Sequence, residues 1–201
     1  MIVEERMRTY INSLDMGNTP FLEELEKEAL AGRVPIIRKE MQSFLKMFLA
    51  ATRPMKILEV GTAVGFSTLL MCEYGPENLK ITTIENYEKR IPIARENFRK
   101  AGRESQIEFL TGDAGEILKE LTGTYDLIFM DIMMPVMDGL EATKEIRRLS
   151  RRDCQEIPII AMSANAFDED VKKSLASGMN GHLSKPIDLA KLEEVLLLIS
   201  S

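Results

Sequence analysis

Leu58-Glu59-Val60-Gly61-Thr62-Ala63-Val64-Gly65 sets a glycine turn directly between a strand and a helix, and acidic residues follow at Glu85, Asp113 and Asp131. Glycines 61 and 65 carry no Cβ, so the spacing predicts a backbone that a ligand can approach closely. The helix behind it offers N–H donors to a carboxylate or phosphate. The spacing is GxxxG and not the GxGxxG that suits a dinucleotide pyrophosphate, which disfavours a nicotinamide cofactor. Glu59, two residues before the first glycine, stands where it can meet a cationic amino group. Glu85, ending the next strand, has two oxygens for a pair of ribose hydroxyls, and Asp113 in Thr111-Gly112-Asp113-Ala114 can accept from an adenine amino group. Together these requirements suit S-adenosylmethionine.

Positioning such groups takes a run of strands and helices. From Lys56 onward short β-type runs (KILEV, KITTIE, IEFLTG, YDLIFMD, IPIIAMSA and GHLSKPI) alternate with amphipathic stretches. That alternation predicts one α/β domain with a doubly wound parallel sheet of six strands, Rossmann- or flavodoxin-like, preceded by extra N-terminal helices. Thr19-Pro20 opens the first described helix and Gly32 stops it. A second helix is expected from about Pro35 to Ala51, with Ile37, Met41, Phe44, Leu45, Phe48 and Leu49 as its apolar stripe. Pro92 falls inside an expected helix and must start it late or kink it. Asp138-Gly139-Leu140-Glu141 is a capping box, and Asp188 is placed to cap a last helix through Ile199. No Gly/Ser-rich or Pro-rich linker divides the chain.

Composition is that of an ordinary globular protein, with 45% hydrophobic and 29% charged residues. A formal net charge of −6 argues against a general nucleic-acid surface. The cluster Arg147, Arg148, Arg151 and Arg152 is expected to be solvated near a negative helix C-terminus. Cys72 and Cys154 lie far apart and His182 is the single histidine, so neither a disulfide framework nor a zinc site is indicated. No apolar run is long enough for a membrane span, and a cytoplasmic setting is expected, with a small-molecule cofactor and no protein partner indicated.

Residues from about Asn18 to Asp131 resemble small bacterial O-methyltransferases of the catechol and caffeoyl-CoA type, through VPII at 34–37, ILEVGTAVGFS at 57–67, TTIENYEKR at 82–90, TGDA at 111–114 and YDLIFMD at 125–131. The resemblance implies Glu59, Gly61, Thr62, Gly65, Ser67, Glu85, Asp113 and Ala114 as contacts to S-adenosylmethionine or S-adenosylhomocysteine, and Asp131 as a metal ligand. It also implies a catalytic lysine soon after that aspartate and an Asp-Asn pair ending the next strand. Here the chain instead has Ile132-Met133-Met134-Pro135, and the next strand ends Ala161-Met162-Ser163-Ala164-Asn165.

From about Tyr125 to Ile199 the chain resembles response-regulator receiver domains, through DIMMPVMDG at 131–139, PIIAMSANA at 158–166 and GMNGHLSKPI at 178–187. That resemblance implies Asp131 as phosphoacceptor, Ser163 as the hydroxyl that reports it and Lys185 as the cation that contacts it. A receiver holds magnesium with an acid pair ending its first strand. The aligned positions are Gly61 and Thr62, so magnesium is not expected, and Asp131 and Lys185 are expected to form an ion pair instead.

The two resemblances share the strand at 125–131, and superposing them gives the strand order 3-2-1-4-5-6. Residues 1–131 are then the methyltransferase-derived cofactor-binding part and 132–201 the receiver-derived part of a single chimeric domain. A junction inside a central strand points to an engineered chimera, expected to act as a scaffold that retains S-adenosylmethionine or S-adenosylhomocysteine binding without efficient catalysis. The alternatives are an active O-methyltransferase and a phosphoacceptor module.

Overall fold

In a computed structural model, described here for residues 17–132, 134, 138–149, 152–162 and 168–183, six parallel strands form one sheet in the order β3-β2-β1-β4-β5-β6. The strands are β1 Lys56–Val60, β2 Lys80–Glu85, β3 Ile107–Thr111, β4 Leu127–Asp131, β5 Ile159–Met162 and β6 Gly181–Leu183. The helices are α1 Pro20–Ala31, α2 Lys39–Thr52, α3 Phe66–Tyr74, α4 Ile91–Lys100, α5 Ala114–Glu120, α6 Gly139–Arg148, α7 Arg152–Glu156 and α8 Asp168–Ala176, with a 3-10 turn at Glu104–Gln106. The expected fold and strand order are both observed. The expected last helix, with its cap at Asp188, lies outside the described residues.

Parallel strands with both faces covered should be apolar throughout, and β4 and β5 are. One face packs α1 to α4 on Ile57, Ile81, Leu127, Phe129 and Ile160. The other packs α5, α6 and Cys154 of α7 on Leu58, Ile84, Ile128, Met130 and Ile159. β4 is central in register as well as in position, with Leu58 opposite Ile128 on one side and Ile128 opposite Ile159 on the other. The sheet therefore runs without a break from the methyltransferase-like strands to the receiver-like ones. Asp126 secures the lower edge of this junction, its carboxylate accepting the N–H groups of Met55 at 2.7 Å and Lys56 at 2.9 Å.

Helix starts follow local chemistry, with one correction. Proline begins α1 after Thr19 and sits in the first turn of α4, so Pro92 delays that helix and does not kink it. Asp113 and Asp138 cap α5 and α6 by accepting the N–H groups of Glu116 and Glu141. The second helix begins at Lys39 and not near Pro35. Residues 34–38 precede it as irregular backbone, and Ile36 and Ile37 pack against the core from that segment. An apolar residue in a buried connection imitates the first turn of a helix when only the spacing is read. Gln42 explains the capture: it is fully buried and donates to the Ile37 carbonyl at 3.1 Å and to Glu26 at 2.9 Å.

The basic cluster also differs from expectation. Arg147 is not merely solvated, because its guanidinium donates to the carbonyls of Gly178 and Cys154 and to the Asn180 side chain, tying α6 to the turn before β6. Arg148 pairs on the surface with Glu145.

Phe129 is fully buried in β4 and meets Phe48 of α2 edge-on at 5.9 Å. Phe129→Ala is expected to lower stability by about 3–5 kcal/mol. Because the sheet is continuous, urea unfolding followed by circular dichroism and by tyrosine fluorescence should still show one coincident transition. Two separated transitions would contradict a single folding unit.

Candidate functional site

A cleft of about 180 Å³ opens at the carboxyl ends of the strands, where the strand order reverses between β1 and β4. Ligands bind at such reversals in open parallel sheets because the connections leave in opposite directions and expose the strand ends. The cleft is bordered by the glycine turn after β1, Glu85 after β2, Asp113 after β3 and Asp131 after β4. Thr62, Ser67 and Ala114 also line it, so most of the expected cofactor residues share one cavity.

Both key glycines have left-handed φ values, +105° at Gly61 and +86° at Gly65, and their missing Cβ atoms serve the protein first. A Cβ on Gly61 would lie 2.7 Å from the Asp131 Cβ. One on Gly65 would lie 2.5 Å from the ring of Phe98 in α4. Gly65 is buried and is not among the cleft-lining residues, so its expected role as a ligand contact is corrected to making room for Phe98. Asn97, next to Phe98, donates to the Val64 carbonyl at 2.8 Å and fixes the turn from beneath.

Glu59 is the second correction. It is fully buried, and its carboxylate accepts from the hydroxyls of Ser67, Thr68 and Thr83. It does not line the cleft among the described residues, so it does not face a ligand ammonium. Burial raises its pKa above the ordinary carboxylate value against the opposing effect of the three hydroxyls, with Glu85 adding to the rise. Its place before the glycine fits strand alternation: Leu58 and Val60 point to one face, leaving Glu59 to the face beneath α3.

Glu85 is buried yet lines the cleft. One oxygen accepts the Ala63 N–H at 2.6 Å, and the other accepts from Asn86 at 3.0 Å and Tyr87 at 2.9 Å. These three bonds use most of the roughly four lone-pair sites of a carboxylate. They aim the group and leave about one acceptor site for a ligand hydroxyl. A second hydroxyl must share a site or displace an N–H.

Asp131 is half-buried between two glycines. Gly61 approaches its side chain, and Gly139 at the start of α6 approaches its backbone so closely that a Cβ there would lie 2.3 Å from the Asp131 carbonyl oxygen. The donor set does not fit a magnesium ion. The aligned acid positions are a glycine packed on Asp131 and Thr62, whose buried hydroxyl is bonded to Thr83 and to the Ile84 carbonyl. Among the described residues no cluster of His, Cys, Asp and Glu is suited to a metal. Ser163, Asn165 and Lys185 lie outside the described residues, and so does the expected Asp131–Lys185 pair.

Several cleft residues were not anticipated. Arg90 lies over the Tyr87 ring at 5.0 Å, and Asn86 follows Glu85 at the cleft wall. Arg38, Met134 and Met162 line the cavity from elements distant in sequence. Only the apolar connection Val34-Pro35-Ile36-Ile37 signalled one of these, since such a loop needs something to cover. Cys72 is no nucleophile: burial pushes its thiol up to about 12.

The site is thus that of a doubly wound α/β protein with a ligand crevice at its switch point. The chain belongs to the O-methyltransferase family over residues 12–134 and to the response regulator receiver domain family over residues 91–197. It is 47% identical over 87 residues to the osmosensing histidine protein kinase SLN1 of Saccharomyces cerevisiae, a match covering 42% of this chain and 7% of that one. It is similar to the structure of the SAH-bound methyltransferase PaMTH1 of Podospora anserina, with 29% identity, a TM-score of 0.57 and coverage of 62% of this chain and 55% of that one. It also shares its fold with the O-methyltransferase TomG of Streptomyces achromogenes, solved in complex with SAM, with 18% identity, a TM-score of 0.56 and coverage of 98% and 85%. The chain spans between 4% and 16% of the histidine kinases it matches. No helix among the described residues is long and apolar enough to cross a membrane.

Two substitutions test the geometry. Gly65→Ala should cost at least about 2 kcal/mol in urea unfolding, from left-handed strain together with the contact to Phe98. Glu59 has a folded pKa above its unfolded one, so its contribution is most favourable at low pH and is lost as pH rises through the folded value. The stability of the wild-type protein relative to Glu59→Gln should therefore fall as pH rises from about 4 toward neutrality. A difference that stays flat or grows would contradict this assignment.

Proposed function

We propose that the cleft binds S-adenosylmethionine or S-adenosylhomocysteine and that the chain is an engineered chimera, one domain with a methyltransferase-derived part at 1–131 and a receiver-derived part at 132–201. It acts as a binding scaffold without efficient methyl transfer to hydroxyl acceptors. The observation that carries the reading is the Glu85 carboxylate, held by three backbone N–H groups and directed at a cleft beside the glycine turn. The methyltransferase family match and the SAH in PaMTH1 support the choice of ligand.

In this reading Glu85 accepts from the ribose and Asp113 from the adenine amino group. Gly61, Thr62 and Ala114 shape the wall, and Ser67 lies beside the methionyl end. Glu59 and Gly65 act from behind, through Ser67 and through the turn. Transfer to a catechol-like hydroxyl is inefficient because the acceptor must be deprotonated, and the lysine and Asp-Asn pair that the family resemblance implies are replaced in sequence. The seam within β4 and the overlap of the two family matches over residues 91–134 support the chimeric origin.

Isothermal titration calorimetry with each ligand tests the binding, which Glu85→Ala should weaken about 10- to 100-fold, the scale of a hydrogen bond to a charged group. Absence of both heat and a thermal shift at millimolar ligand would reject it. The receiver match favours a second reading, with Asp131 as phosphoacceptor. Its donor set opposes that, so acetyl phosphate with magnesium should leave the intact mass unchanged. An alkali-labile phosphoryl adduct at Asp131 would reverse the order of the two readings.

A further inference from the structure

The cleft has a second end, on the β4–β5 side, whose chemistry differs from that of the glycine turn. Its described wall is Met41, Phe66, Met134 and Met162, apolar groups with no proton to give or take. Beside them is one cation, Arg38, just before α2. Helix α2 crosses β4 through the Phe48–Phe129 contact, and its first residues reach the cleft at Met41 and Arg38. Arg38 is exposed and makes no hydrogen bond or ion pair among the described residues, unlike Lys39 beside it, which is held by Glu23 and Glu26. The other described cleft cation, Arg90, lies over Tyr87 next to Glu85, at the opposite end.

From this arrangement, and resting on the cofactor reading above, we infer that the acceptor class suited to the site is an amphipathic carboxylate, which would be converted to its methyl ester. A phenolic acceptor has a pKa near 10 and is only about one part in a thousand ionised at neutral pH, so it needs a base or a metal. A carboxylic acid has a pKa near 4 and arrives already ionised. It needs a cation to orient it and an apolar wall for its body, and Arg38 and the methionine-rich wall supply these. One carboxylate oxygen attacks the sulfonium methyl carbon of S-adenosylmethionine, and a C–O bond forms. The C–S bond breaks, its electron pair returns to sulfur, and S-adenosylhomocysteine leaves with no proton released. The absence of a base at this end then costs the reaction nothing.

The test incubates the full chain with methyl-labelled S-adenosylmethionine and a matched pair of acceptors, hydrocinnamate and catechol, with no added metal. Cofactor affinity is measured in parallel by calorimetry. Label should appear in methyl hydrocinnamate, be released by alkali as methanol, and be absent from catechol. Arg38→Met should lower ester formation about 10-fold or more while cofactor affinity stays within twofold, and Arg38→Lys should restore part of it. Cofactor binding without alkali-labile label above the protein-free control overturns the acceptor assignment alone. Label on catechol, or ester formation indifferent to Arg38→Met, overturns it as well. Loss of cofactor binding itself removes both this assignment and the reading beneath it.

Discussion

The close approach of Gly61 and Gly139 to Asp131 is the constraint on which the rest of the molecule turns. Gly61 ends β1 in the methyltransferase-like part, and Gly139 begins α6 in the receiver-like part. Each is admitted only because it lacks a Cβ: one would meet the side chain of Asp131 and the other its carbonyl. A central strand flanked by parallel neighbours has little freedom in register, since a shift by one residue would exchange its two buried faces. Ile57, Phe129 and Ile160 belong to one apolar cluster and Leu58, Ile128 and Ile159 to the other, so β4 satisfies both sets of helices at once. The remaining space where α5, β4, α6 and α7 meet is an apolar crevice of only about 30 Å³. The two parts pack as one interior and not as domains touching across a surface.

Two carboxylates near the turn show how environment separates roles. Glu59 and Glu85 both follow apolar strand residues, and both are buried. Glu59 faces hydroxyls, which stabilise its charge through dipoles that can reorient, and burial still raises its pKa. Glu85 faces fixed backbone N–H groups that aim it at the cleft. One carboxylate organises the base of α3 and the other is presented to whatever enters. The distinction lies in which side of the strand each occupies and in what caps it.

The sheet was legible in sequence because strand-length apolar runs, helix caps and turn residues agree with one another at nearly every step. Thr19-Pro20, Asp138 and the strand order all follow from local signals of that kind. The start of α2 was not legible: Ile37 fits the helical spacing and leaves the helix only because Gln42 and the core hold residues 34–38 in another conformation. The identity of Glu85, Asp113 and Asp131 as cleft residues could be read from their places after strands. The direction of Glu59 and the service of Gly65 to Phe98 could not, because a motif gives spacing along the chain and not the neighbour that fills the space. Arg38 and Met162 were invisible for a related reason, since they meet in the cleft from segments more than a hundred residues apart.

A parallel sheet makes such an unequal inheritance of a site physically natural. Each strand end projects its own residues into the crevice, and the connection that follows returns to the opposite edge before the next strand begins. Exchanging everything after β4 therefore leaves the ends of β1, β2 and β3 as they were, with Gly61, Glu85 and Gly112 still linked by the N–H bonds from Gly61 and Thr62 to Ile84 and from Gly112 to Glu85. Chemistry that depends on groups beyond Asp131 receives no such protection, because those groups sit on the exchanged connections. Ground-state binding draws on the first set, and bond making to an unionised hydroxyl draws on the second. The surviving half of the site can hold a ligand firmly, and the chemistry open to it is then set by how much of the work the acceptor brings in its own ionisation state.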